Sequence, residues 1–279
     1  MSSVTGRIKE IKQPRGGFIR PSEFEAIRLS DENILNEAEN VHGSVIGMVV
    51  DYLTRFNMGT DVNEAFKISL HGAVLAEKLG VEKAVNVSRK LAKNIKGLDD
   101  KSIINACKLV TFDVWYRNPL NALRAKKYDS INPDNETIQN IKILINRSIS
   151  FLNEYGPITS DGFTFEPLKN DRSEYEKMIK IKKGSYGGYT AIVSSGDGDF
   201  LTNDTLWDFK VAKTKPNNKH TLQLLMYWIM GQHSGQEKYK NIKRLGIFNP
   251  RLNTVYLLNV KDIPENVIKT VEKEVIGYE

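Results

Sequence analysis

Only one cysteine, Cys107, occurs in the 279 residues of this chain, and that scarcity excludes a good deal. No intrachain disulfide can form, and one chain cannot assemble a four-cysteine zinc or iron–sulfur site. Cys107 is left with the role of a small apolar residue in a helix. Long hydrophobic runs are also missing: the stretch 45–50, one of the longest, is far too short to span a bilayer. Residues 1–17 are basic and polar with no apolar core, so they do not read as a secretory signal. The expectation is a cytoplasmic protein with no membrane partner. No phosphate loop of the form Gly-x-x-x-x-Gly-Lys-Ser/Thr is present, since Gly184-Ser185-Tyr186-Gly187-Gly188 lacks the lysine. Nor does any serine sit in a Gly-x-Ser-x-Gly elbow. A linker rich in Gly, Ser or Pro is lacking too, which argues for a single structural unit over 1–279.

What is present is the profile of an ordinary globular protein, with 40% hydrophobic and 27% charged residues. The net charge is +6, and it is unevenly spread. Between residues 211 and 251 stand Lys213, Lys215, Lys219, Lys238, Lys240, Lys243, Arg244 and Arg251 against one acid, Glu237. Such a strip suits a polyanion such as DNA, with Lys213, Lys215 and Lys219 as candidate backbone contacts. Apolar spacing predicts helices near 41–56, 62–79, 82–95, 101–116 and 136–155. After Pro157 the pattern shifts to short β-type runs at 162–165, 189–194, 199–201, 205–211, 244–248 and 254–260. A strong helix is predicted at 219–231, and another after Pro264. The stretch 172–183 reads as either a helix or an exposed loop. The whole reads as an α/β protein with a helical insertion at 58–156 and a mixed sheet, flanked by helices, at 157–263.

The most informative segment is 195–211. Asn203-Asp204 suits a two-residue hairpin turn, because both residue types tolerate positive φ. With that turn Leu201 faces Leu206, Asp199 faces Asp208 and Asp197 faces Lys210. Alternation then puts Leu206, Asp208 and Lys210 on one face and the apolar Trp207, Phe209 and Val211 on the other, which is expected to be the core. Opposed acids have Cβ atoms about 4.5–5.5 Å apart, and two anions about 4 Å apart repel by roughly 4 kcal/mol at an effective dielectric near 20. A divalent cation such as Mg²⁺ or Mn²⁺ turns that repulsion into attraction. Asp197 lies on the same face as Asp199 and competes with it as the ligand. A calcium loop over 197–208 fails where such loops are strict, with Thr202 at the glycine position and Leu201 at a ligand position.

In order along the chain, His42 in Asn40-Val41-His42-Gly43, Gly196-x-x-Asp199, Trp207-Asp208-Phe209-Lys210, and Gln223-x-x-x-Tyr227 resemble the RecB-like branch of the PD-(D/E)xK nuclease superfamily. The resemblance covers four short motifs and leaves most of the helical half outside. It implies a restriction-endonuclease-like fold and a metal-dependent DNA nuclease, exonuclease or endonuclease. It implies Asp199, Asp208 and His42 as metal ligands, Lys210 as the catalytic lysine, and Gln223 and Tyr227 as a substrate-positioning pair. His220 stands one turn ahead of that pair on the same helical face. Cys107 alone cannot build the iron–sulfur cluster that several members carry. Any helicase motor would be a separate protein partner. The alternative is a nuclease-like fold with weak or no catalysis, used to bind or inhibit a nucleic acid or protein.

Overall fold

Two runs of alternating, largely apolar residues, Arg244–Asn249 (β6) and Thr254–Asn259 (β7), pair antiparallel and anchor a mixed sheet. Asn253 turns the chain between them in a left-handed conformation, with φ 45°. The computed structural model describes residues 2–165 and 187–278. The predicted element at 172–183, and residues 184–186 of the glycine-containing run, lie outside them. Within the described residues the sheet has seven strands. The others are Ser2–Ser3 (β1), Glu25–Arg28 (β2), Ser160–Phe165 (β3), Val193–Leu201 (β4) and Thr205–Phe209 (β5). β3, β4 and β5 run antiparallel in succession, whereas β6 lies parallel to β5. That parallel step needs a crossover, and the Asn218–His233 helix supplies it. The protein is therefore a mixed α/β fold.

The chain divides into two compact units. The sheet unit comprises Met1–Leu29, Leu152–Lys210 and Thr214–Glu279, and the helical unit comprises Ser30–Phe151 with Val211–Lys213. The helical unit thus begins ahead of the 58–156 stretch singled out in the sequence. In the sheet unit the Asn218–His233 helix buries Leu222, Leu225, Met226 and Tyr227 against Leu206, Leu245, Ile247 and Tyr256. Glycine allows close approach at two places. A Cβ on Gly246 would stand 2.4 Å from the Trp207 ring, and one on Gly198 would stand 1.8 Å from the Phe163 ring. In the helical unit the expected 62–79 helix is broken at Phe66 into Val62–Ala65 and Lys67–Lys78. No helix among the described residues is long and apolar enough to cross a membrane.

Several strand boundaries differ from expectation for local reasons. The run at 189–194 becomes strand only from Val193, because the Thr190 hydroxyl accepts the N–H groups of Ile192 and Val193 and closes a turn. The run at 199–201 is the end of the longer β4, whose glycines mask its alternation. The short strands β1 and β2, and the helix Val4–Glu10, carry too little periodicity to be predicted.

Candidate active site

A turn forms at Asn203-Asp204, but without the positive φ expected of it: among the described non-glycine residues only Lys83 and Asn253 have one. Thr202 N–H donates to the Thr205 carbonyl at 3.0 Å, and Leu201–Leu206 and Phe200–Trp207 pair as anticipated. Backbone pairing of β4 with β5 does not extend to Asp199–Asp208. Instead a carboxylate oxygen of Asp199 accepts the N–H of Phe209 at 2.6 Å. A side chain there takes the place of a strand carbonyl. Asp197 is exposed, and its backbone carbonyl, rather than its carboxylate, is used from within the fold.

The expectation that one face of β5 is core and the other open also needs correction. Trp207 is buried on one side, where it stacks on Phe200 and meets Tyr155 edge-on. Leu206 on the other side is fully buried under the Asn218–His233 helix. The Asn218–His233 helix covers the Leu206 side, and the Phe200 and Tyr155 rings cover the Trp207 side. Asp208 therefore sits at the margin of a core and is only 3% exposed. Lys210 Nζ donates to Asp208 Oδ1 at 2.7 Å. The other oxygen, Oδ2, is buried and has no hydrogen-bond partner among the described residues.

Burial pulls the Lys210 pKa down, but the charges of Asp208 and Asp199 outweigh it and hold the ammonium above its ordinary value. Lys210 is thus firmly cationic. On the facing helix, Tyr227 donates its hydroxyl proton to the Asp197 carbonyl at 2.6 Å and accepts from Gln223 Nε2 at 2.9 Å. Burial and the charges of Asp208, Asp199 and Asp197 drive the phenol pKa up. Tyr227 is a neutral, fully committed tie between helix and strand.

Asp199, Asp208, Lys210, Gln223 and Tyr227 thus all belong to the sheet unit and surround the open end of the β4–β5 pair. His42 belongs to the helical unit. There it is the N-cap of Gly43–Asn57, with Nδ1 engaged by the Ser44 amide at 3.2 Å. Among the described residues no group of three or more His, Cys, Asp and Glu side chains is arranged to hold a metal ion. Of the basic strip, Lys213 lies 3.9 Å from Glu39 within the helical unit, Lys240 pairs with Glu237, and Arg244 pairs with Asp204. Lys215 and Lys219 are exposed and form no ion pair among the described residues. Two features escaped the sequence reading. Asn217 caps the helix in a reciprocal box with His220, a signal that was available in an Asn just ahead of an apolar helix. The other is a buried cluster around Asp113 in the helical unit, whose members are too far apart in sequence to be associated.

No protein-family model, curated protein or solved structure matches the chain, so the geometry carries the functional reading.

Proposed function

We propose that the protein is a Mg²⁺- or Mn²⁺-dependent deoxyribonuclease of the PD-(D/E)xK type, its mixed α/β fold being of the restriction-endonuclease-like kind. The observation that carries this reading is the Asp208 carboxylate, buried at a strand end with one oxygen on Lys210 and the other without a hydrogen-bond partner among the described residues. Leaving a buried acceptor unmade costs about 1–3 kcal/mol, more for a charged group. A hard cation is the natural partner for such an oxygen, since Mg²⁺ takes one or two carboxylates and keeps several waters. Asp208, with Asp199 beside it, fits that requirement. When bound, such an ion polarises a phosphodiester and lowers the pKa of a coordinated water.

The chain's own groups divide the remaining tasks. Lys210, held as a cation, donates to the oxygen on which charge develops during displacement, and is no base. Gln223 and Tyr227 act as positioning residues, fixing β4 at Asp197 so that Asp199 keeps its reach. Lys215 and Lys219 supply sequence-independent contacts to the DNA backbone.

The direct test is cleavage of labelled DNA by the purified protein. Activity requires Mg²⁺ or Mn²⁺ and disappears in excess chelator. Asp208→Asn and Lys210→Ala each lower the rate by about 10²-fold or more while leaving the protein folded. Undiminished cleavage in chelator, or a fully active Asp208→Asn protein, sinks the reading. A binding or inhibitory module on the same fold is the competing reading, and it draws on the lack of a three-ligand cluster among the described residues. It requires DNA or protein binding with no metal-dependent cleavage.

A further inference from the structure

His220 stands on the face of its helix that also carries Gln223 and Tyr227, one turn closer to the helix start. Its ring is unusually well defined chemically. The Asn217 backbone N–H donates to His220 Nδ1 at 3.3 Å, while the Asn217 side chain accepts the N–H groups of Lys219 at 2.9 Å and His220 at 3.4 Å. This is a capping box with histidine in the place usually held by Glu or Gln. An imidazole whose Nδ1 accepts a hydrogen bond carries its proton on Nε2 when neutral. Nε2 has no protein partner among the described residues. The half-buried ring also lies within the field of Lys210: burial first, then the Lys210 charge, push its pKa down to about 4. At neutral pH it is neither an acid nor an effective base. What remains is a neutral, oriented N–H donor beside a fixed cation.

We propose that His220 is a substrate-contacting residue, donating Nε2–H to a non-bridging oxygen of the phosphate that Lys210 also serves. Two donors of different charge would then flank one phosphate, the ammonium stabilising its charge and the imidazole fixing its orientation. The identity of the phosphate as DNA rests on the nuclease reading, but the tautomer and the anion contact do not.

Two replacements separate this role from capping. His220→Gln and His220→Glu both restore the usual capping-box side chain, so helix stability is preserved in each. Only Gln retains a neutral donor, whereas Glu presents an anion to the phosphate. With Mg²⁺ and DNA, His220→Gln stays within about tenfold of the parent, and His220→Glu falls by about 10²-fold with a raised KM. Equal activity of the two variants overturns the proposal while leaving the nuclease reading intact. A second measurement is independent of catalysis. Imidazole ¹⁵N spectra, assigned against His220→Gln, show Nε2–H with an unprotonated Nδ1 from pH 5 to 8. The Nε2–H resonance moves when a DNA oligonucleotide is added with Ca²⁺ in place of Mg²⁺. That shift without any Mg²⁺-dependent cleavage upholds the His220 contact and rejects the nuclease. A Nδ1–H tautomer, titration near the ordinary histidine value, or a resonance indifferent to DNA overturns the proposal.

Discussion

Two carboxylates in this chain are almost equally buried, Asp113 in the helical unit at 1% exposure and Asp208 in the sheet unit at 3%, yet they are treated oppositely. Asp113 is enclosed. One oxygen accepts the Ser69 hydroxyl and the other accepts Tyr52 at 2.6 Å, while Arg117 approaches to 3.6 Å and also donates to the Tyr52 hydroxyl at 3.2 Å. Burial raises the Asp113 pKa, with those bonds and the Arg117 charge opposing it. Among the described residues Asp208 has only the lysine contact, and its second oxygen has no hydrogen-bond partner. Burial alone therefore does not mark a functional acid. Completeness of its partners separates a group that holds a fold from one with bonding capacity left over, which is what the proposed metal role of Asp208 draws on.

The sharpest way to break this contrast is to exchange the consequences. Asp208→Asn should lower metal-dependent DNA cleavage by about 10²-fold or more, whereas Asp113→Ala, assayed well below its melting temperature, should retain most of the parental rate. A reversal in these cleavage assays ends the distinction. Stability should run the other way. Asp113→Ala leaves the buried Tyr52 and Ser69 hydroxyls without their acceptor, and should cost about 1–3 kcal/mol for each in denaturant unfolding. Asp208→Asn should cost far less, because among the described residues only Lys210 donates to its carboxylate.

Metal should discriminate next. Saturating Mg²⁺ at about 100 times its dissociation constant raises the parent's stability by about 2.7 kcal/mol. The rise should be much smaller in Asp208→Asn and unchanged in Asp113→Ala, as read by thermal shift. A smaller effect comes from His220. Its pKa is lowered on folding, so the unfolded chain binds more protons between the ordinary histidine value near 6.5 and about 4. Stability is therefore full above pH 6.5 and declines as pH falls toward 4, and His220→Gln should show a shallower decline in pH-dependent melting. Smallest of all, Lys215→Ala and Lys219→Ala should each flatten the log–log salt dependence of DNA binding by about 0.7–0.9. An unchanged slope would remove these lysines from the interface.

What could be read from the sequence was local. Asn203-Asp204 specifies its turn within four residues, and the Gln223–Tyr227 stripe follows from helical period alone. The capture of the Phe209 N–H by Asp199 could not be read, because it replaces a backbone bond with a side-chain one and leaves no pattern. The covering of both faces of β5 depends on Tyr155, well before the strand, and on the Asn218–His233 helix that follows it. Asp113 and Tyr52 meet across 61 positions, a distance that no window of periodicity spans. The break at Phe66 arises within a run whose apolar spacing continues through it.

Gly198 touches no substrate in any of these schemes, yet a Cβ there would stand inside the Phe163 ring. The tip of the Phe163 ring fills the space over Gly198, between Asp197 and Asp199 in sequence, and β3 can pair Phe163 with Gly198 only while that surface stays bare. In a survey of random substitutions, position 198 should therefore tolerate as little change as the acids themselves, and its failures should be failures of assembly. A protein altered there loses the bench on which the Asp199 carboxylate is mounted, so its inactivity says nothing about chemistry at residue 198.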